Sequence, residues 1–196
     1  MLPEPELREV LLDIPLVSIT GPWTRAIEHV HVRKPFPEPL WAGSGSSRFS
    51  PAGAFRRLYL SSDFQTSLKE AKAIFHGHAI RTALWVLITV DGFPQGILDL
   101  TSEEVWDQLG TSLSELTGNW DFAEDLYRKG TAEMPPTQLL GKVAFETGRI
   151  VGLSFHSAQN PGDGTNLIVF PDRLVPGQVS FLEVFDPHRL LRSRLP

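Results

Sequence analysis

Apolar and polar positions change period several times along this 196-residue chain, and each change marks an expected element. The residues through Leu12 read as a short helix, followed by an extended connection from Asp13 to Val17 that contains Pro15. From Trp23 to Val32, Ala26, Glu28, Val30 and Val32 alternate with other residues, a strand pattern. Pro35, Pro37 and Pro39 then break regular structure and favour extended backbone. A polar turn from Gly43 to Ser50 leads through Pro51, Ala52 and Gly53 into a short strand, Arg57 to Ser61, with Leu58 and Leu60 on one face. Ser62 and Gln65 have the spacing of a capping box for a helix reaching about His76. Phe64, Leu68, Ala71 and Phe75 are its expected buried stripe, with Glu70 beside it. The near-continuous apolar run Ala83 to Ile88, inside Thr82 to Val90, suits a central strand, and Asp91, Gly92 and Pro94 announce a turn.

The middle of the chain is helical. Thr101 with Glu104 and Ser112 with Glu115 are cap signals for two short helices, Asn119 opens a third that ends near Gly130, and a fourth runs from Pro136 to before Gly148. Leu139, Leu140, Val143 and Ala144 are its core candidates. Strands return at Val151 to His156, Asn166 to Phe170 and Ser180 to Phe185. Strands and helices are mixed without a regular βαβ series. The expected class is therefore α/β in the α+β sense: a single domain with a twisted mixed sheet flanked by helices.

Composition narrows the possible functions. The length suits one ordinary domain, and 41% hydrophobic residues supply a full core. A net charge of -5 argues against a nucleic-acid surface, which needs a concentrated basic footprint. The absence of cysteine excludes disulfides, thiolate nucleophiles and thiolate-held metals. The first ten residues lack a secretory pattern and no apolar run reaches membrane-spanning length, so a cytoplasmic protein with no membrane association is expected.

Familiar signatures are weak. Gly43-Ser44-Gly45-Ser46-Ser47 lacks the lysine of a phosphate-binding GxxxxGK[ST] loop, and reads either as a flexible turn or as backbone N–H groups that cradle a phosphate with Arg48. His29 and His31 share a strand face and His76 and His78 straddle a glycine, but no third ligand stands nearby, and no metal is expected. Ser154 and Ser157 lack a GxSxG elbow. Glu103, Glu104, Asp121, Glu124 and Asp125 read as solvated or capped helical faces.

Residues from Trp23 to Phe170 carry a resemblance. Arg25 in WTRAIEH, Arg48 in SSRFSPAG, Tyr59 in RLYLSS, Glu70 in TSLKEA and Ser157 in GLSFHSAQN occur in the order found in RES-domain proteins. LDLT at Leu98 to Thr101 and the late NLIVF add to it. The chain resembles this family, the toxin component of bacterial RES-Xre toxin-antitoxin pairs, which is similar to ADP-ribosyltransferases in fold and in using NAD. One departure is Ser47-Arg48-Phe49, where familiar members often have Gly-Arg-Trp or Gly-Arg-Phe. Arg33 competes with Arg25 as the first arginine. The resemblance implies residues 1–22 as an N-terminal helical extension, and residues 23–196 as a RES-like catalytic domain that includes the C-terminal strand and tail.

The resemblance also implies roles. NAD would be a consumed co-substrate, cleaved between nicotinamide and ribose, with ADP-ribose passed to a protein acceptor or, alternatively, to water or phosphate; an inactive NAD-binding module is a further alternative. Glu70 would stabilise positive charge on the ribose. Arg25 and Arg48 would clamp the pyrophosphate, or else serve as surface ion-pair partners. Tyr59 would meet nicotinamide or finish a core. Ser157 would hold ribose or nicotinamide, or cap a turn, and Asn160 would border the pocket. An Xre-type helix-turn-helix antitoxin is the implied partner.

Overall fold

The computed structural model describes residues 1–34, 38–40, 45–73, 84–175, 179–185 and 194–195. Strands β1 (Val17–Ser18), β2 (Trp23–Glu28), β3 (Leu58–Ser61), β4 (Trp85–Gly92), β5 (Gln95–Asp99), β6 (Gly152–His156), β7 (Thr165–Val169), β8 (Leu182–Val184) and β9 (Arg194–Leu195) pair in the order β1-β5-β6-β7-β3-β2-β4-β8-β9. The β5–β6 pairing is parallel and the others are antiparallel, so the sheet is mixed.

The sheet curls because two arms of one ribbon pair twice in it, at the β1 end and again near the other end, inside β8 and β9. β1 and β2 follow each other along one arm, β4 and β5 along the other. β1 pairs with β5 and β2 with β4. Across the bend, Ile19 N–H donates to the Pro94 carbonyl and Gly21 N–H to that of Gly92, both at 3.1 Å.

Helices α1 (Glu4–Asp13), α2 (Phe64–Ala73), α3 (Glu103–Leu109), α4 (Leu113–Thr117), α5 (Trp120–Arg128) and α6 (Pro136–Glu146) flank it. One core joins Leu7 and Leu11 of α1, Leu140 and Val143 of α6, and Phe49, Leu153, Ile168 and Phe170. A second, on the other face, joins Trp23, Ile27, Leu58, Leu60, Ile88, Leu167 and Val184. Leu58 and Leu60 do share one buried face, as their alternation requires. The Ser112 hydroxyl accepts the Glu115 N–H, and the Asn119 side chain that of Phe122, which are the expected caps. Leu140, Val143 and Ala144 are fully buried on α6.

Several expectations change. β2 ends at Glu28 opposite Trp85, the first residue of β4, and His29 to His31 form a single 3-10 turn with Val30 and Val32 exposed. The β2 residues facing the core are Trp23 and Ile27, the opposite register from the alternating set. β4 runs through Asp91 and Gly92, so the turn contracts to Phe93-Pro94. It is covered on one face only: Ile88 and Val90 are buried while Leu87 is 43% exposed. The cap of α2 is Asp63, which accepts the Thr66 N–H at 2.9 Å, and Ser62 instead accepts the Thr165 N–H. α2 buries Ala71 as expected, but Thr66 and Ser67 face inward with it while Phe64 is 52% exposed. At the head of α3 the Thr101 hydroxyl binds the Asp99 carboxylate, and Ser102 is the N-cap. Thr82, Ala83, Phe75, His76 and His78 lie outside the described residues, as do Gly43 and Ser44.

Candidate active site

The site exists because the β2–β3 ladder opens. Thr24 pairs with Ser61, yet two residues further along each strand the ladder does not continue. There the Ala26 N–H donates to the Ser67 hydroxyl on α2 at 2.7 Å, and the Tyr59 carbonyl accepts from Arg25 Nη1 at 2.7 Å. Side chains thus satisfy the backbone groups that a closed ladder would have paired. This is why α2 packs through small hydroxyl residues: Ser67 meets the open N–H of Ala26, which an apolar stripe cannot, and Thr66 beside it binds Asp63 and Asn160. The parting forms a cleft of about 570 Å³.

Arg25, Arg48, Tyr59 and Glu70 all line this cleft, and Arg57 joins them. Arg33 lies in an exposed turn beyond β2, so Arg25 is the N-terminal arginine that reaches the cleft. Arg48 sits in a tight turn closed by reciprocal backbone bonds between Ser47 and Ser50. The Ser47 N–H is thereby consumed and not offered to a phosphate. The turn rests on α6, where Gln138 donates to the Ser47 carbonyl at 3.0 Å and Gly141 lets the backbone approach: a Cβ at 141 would lie 1.9 Å from the Phe49 carbonyl oxygen. Arg48 Nη1 then donates to the carbonyls of Leu116 (3.0 Å) and Gly118 (2.7 Å), which aims the guanidinium.

Glu70 is held at one oxygen. Ser157 Oγ donates to Oε1 at 2.6 Å and Asn166 Nδ2 donates to the same oxygen at 2.7 Å. Among the described residues Oε2 receives no hydrogen bond. Ser157 is fully buried and accepts the N–H groups of Gln159 and Asn160, so its hydroxyl is spent on Glu70 and on its own turn. Asn160 faces α2 and not the cleft: its Nδ2 donates to Thr66 Oγ1 and its Oδ1 accepts from Lys69. It clamps the loop after β6 to the helix that carries Glu70.

Burial sets the electrostatics. It lowers the Arg25 pKa to about 10, with the Tyr59 phenol opposing the shift and Arg57 adding to it. Burial also lowers Arg48, against the attraction of Glu70, Tyr59 and Asp121, and lowers Arg57. The Tyr59 phenol, hydrogen-bonded to Ser47 Oγ at 2.7 Å, is raised by burial despite that bond and the neighbouring arginines. Asp121, on the first turn of α5, is raised by burial against the pull of Arg48. Guanidinium groups remain protonated at neutral pH, so the cleft concentrates partly desolvated positive charge. Arg57 donates to the Gly45 carbonyl, while its buried Nε has no partner among the described residues.

A family model described as the RES domain matches residues 22–188. The chain belongs to the RES domain family. Among curated proteins nothing matches. A chain of the M. tuberculosis MbcT-MbcA toxin-antitoxin complex, a crystal structure, superposes with a TM-score of 0.68 at 18% identity, covering 92% of this chain and 90% of that one. That likeness establishes a shared fold: a single α/β domain in which helices flank a curled mixed sheet.

Reading the sequence missed parts of this candidate cleft. Arg57 reads as a strand-start residue, and only its two-residue spacing from Tyr59, which puts both on one strand face, hinted at it. Asn166 stood inside an apolar strand motif as its one polar residue, a signal that a buried partner exists. Asp121 is one of several helical carboxylates, and nothing local distinguishes it. No group of three or more His, Asp or Glu side chains able to hold a metal occurs among the described residues, and none of the helices described there is long and apolar enough to cross a membrane.

Proposed function

We propose that this RES domain is the toxin of a toxin-antitoxin pair that cleaves the bond between nicotinamide and ribose in NAD and passes ADP-ribose to a protein acceptor. The observation that carries this reading is the cleft itself, which sets one tethered carboxylate, Glu70, among three arginines. The donors fit a pyrophosphate: Arg48 keeps N–H groups beyond the Nη1 that its carbonyls hold, and Arg57 carries a buried donor that the described protein does not absorb. Paying part of the desolvation of these cations in the folded protein favours an anionic ligand over water.

Glu70 supplies the catalytic term. When the bond between C1′ and the pyridinium nitrogen breaks, its electron pair leaves with nicotinamide, which departs neutral. Positive charge then grows on C1′ and the ring oxygen. A carboxylate fixed beforehand stabilises that charge most where it is largest, in the transition state. Ser157 acts through Glu70 by holding Oε1, and Tyr59 offers a ring and a phenol at the wall of the cleft. Asn160 locks the loop that presents Ser157.

The fold neighbour comes from a toxin-antitoxin complex, which supports an antitoxin as partner; we assign it to the Xre helix-turn-helix type. Purified protein incubated with NAD tests the reading by mass spectrometry of small products and of candidate proteins. Nicotinamide release with ADP-ribosylated protein is the expected result. Release with free ADP-ribose or its 1-phosphate would move the assignment to NAD hydrolysis or phosphorolysis. Binding without release would leave an inactive NAD-binding module.

A further inference from the structure

Asn166 is a buried side-chain amide near the start of an otherwise largely apolar strand, and its orientation is not free. It lies on β7 directly opposite Ser61 of β3, and the two Cα atoms are ladder partners. Ser61 Oγ donates to Asn166 Oδ1 at 2.8 Å, and Asn166 Nδ2 donates to Glu70 Oε1 at 2.7 Å. Both residues are buried, at 5% and 4% exposure. An ionised carboxylate only accepts hydrogen bonds, so the amide must turn its NH₂ towards Glu70 and its oxygen away. That oxygen then needs a donor, and the Ser61 hydroxyl is placed to give one. If the amide turned over, Oδ1 would stand against a carboxylate oxygen in a buried site, a costly arrangement.

From this geometry we infer that Asn166 and Ser61 are positioning residues: Ser61 sets the amide of Asn166, and the amide, with Ser157, fixes Glu70 so that its second oxygen is the one presented to the ligand. The inference rests on the reading of Glu70 as the charge-stabilising carboxylate. Two donors reach Oε1 from different directions, one from the loop after β6 and one from the second residue of β7. One donor would leave the carboxylate able to swing about it. Two remove that rotation, and misplacement by about an ångström can cost on the order of 10²-fold in rate. Strand register makes the arrangement specific, since a one-residue slip of β7 on β3 would bring Leu167 opposite Ser61 and carry Asn166 to the other face.

The order of dependence gives a sharp test. Asn166→Ala is expected to lower kcat for NAD cleavage by roughly 10- to 100-fold with little change in KM, because it disturbs the carboxylate and not the arginines. Ser61→Ala is expected to lower kcat less. In the Asn166→Ala background Ser61→Ala is expected to have no further effect, because Ser61 acts only through Asn166. Additive losses in the double variant, or a loss confined to KM, would overturn the inference. A second readout needs no turnover: the side-chain amide resonances of Asn166 in nitrogen-15 NMR should shift in both Ser61→Ala and Glu70→Ala. Resonances unmoved by either substitution would also overturn it. If the parent consumes no NAD, the proposed reaction fails while the NMR result still judges the cradle.

Discussion

Replacing Glu70 by glutamine removes one charge and little else. The glutamine oxygen can take the place of Oε1 and accept from both Ser157 and Asn166, leaving its NH₂ where Oε2 stood. Two charge-assisted bonds become neutral ones, a loss of about 1 kcal/mol each, so the folded state should survive with a Tm lowered by a few degrees. The rate should respond far more. A carboxylate about 4 Å from a developing unit charge, at an effective dielectric constant near 20, contributes about 4 kcal/mol. Part of the cation's charge is present in the transition state, so the expected loss is about 10²- to 10³-fold in nicotinamide release. The assay is chromatographic quantitation of nicotinamide at saturating NAD, with thermal melting and ADP-ribose binding measured on the same preparation. A folded Glu70→Gln protein that binds ADP-ribose and turns over within tenfold of the parent would refute the charge argument.

Ser157→Ala removes the other Oε1 donor together with the acceptor for two backbone N–H groups, so it should lower kcat by about 10-fold or more and also cost about 1–3 kcal/mol of stability, seen as a lower denaturation midpoint; unchanged kcat in the folded variant would detach Ser157 from the carboxylate. Gly141→Ala pits helix propensity against packing: alanine alone would gain up to about 1 kcal/mol, but the clash with the Phe49 carbonyl should outweigh it by about 1–3 kcal/mol, lowering Tm and weakening ADP-ribose binding because Arg48 is the adjoining residue. A raised Tm would show that the turn yields freely. Arg25 gives a pH prediction. Its folded pKa of about 10 lies below that of a free guanidinium, so the cost of burying its charge is fully present below pH 10 and is relieved as the pH rises through that value. Stability should therefore gain a favourable contribution from Arg25 above pH 10 while ADP-ribose affinity, measured calorimetrically from pH 8 to 11, falls. Affinity that stays constant across this range would remove Arg25 from the anion site.

Local signals were legible and non-local ones were not. Ser112 and Asn119 cap their helices with side chains that reach three residues ahead, so their chemistry is written within one turn of chain. Glu70 and Ser157 could be placed on the correct elements, but their meeting depends on Asn160 binding α2, a contact that no periodicity records. The stripe on α2 misled for a physical reason. Apolar spacing predicts which face seeks a core, whereas this helix lies over a parted ladder whose open N–H needs a hydroxyl, so Ser67 faces inward and Phe64 outward. Likewise the apolar run in β4 does not reveal that only one face of that strand is covered.

The pairing of β3 with β7 has a consequence for how this protein is made. Ser61 and Asn166 are separated by 105 residues, as the carboxylate's supporting bonds require β7 to be in register beside β3. Contacts this distant in sequence form late and slowly, after the loop-closure entropy of the intervening chain has been overcome. During synthesis the ribosome therefore extrudes Arg25, Arg48, Tyr59 and Glu70 long before the residues that orient Glu70 exist. A nascent chain stopped before Ser157 carries the cleft arginines with neither donor to Glu70 Oε1, and the cradle of that carboxylate is completed only within the last third of the polypeptide.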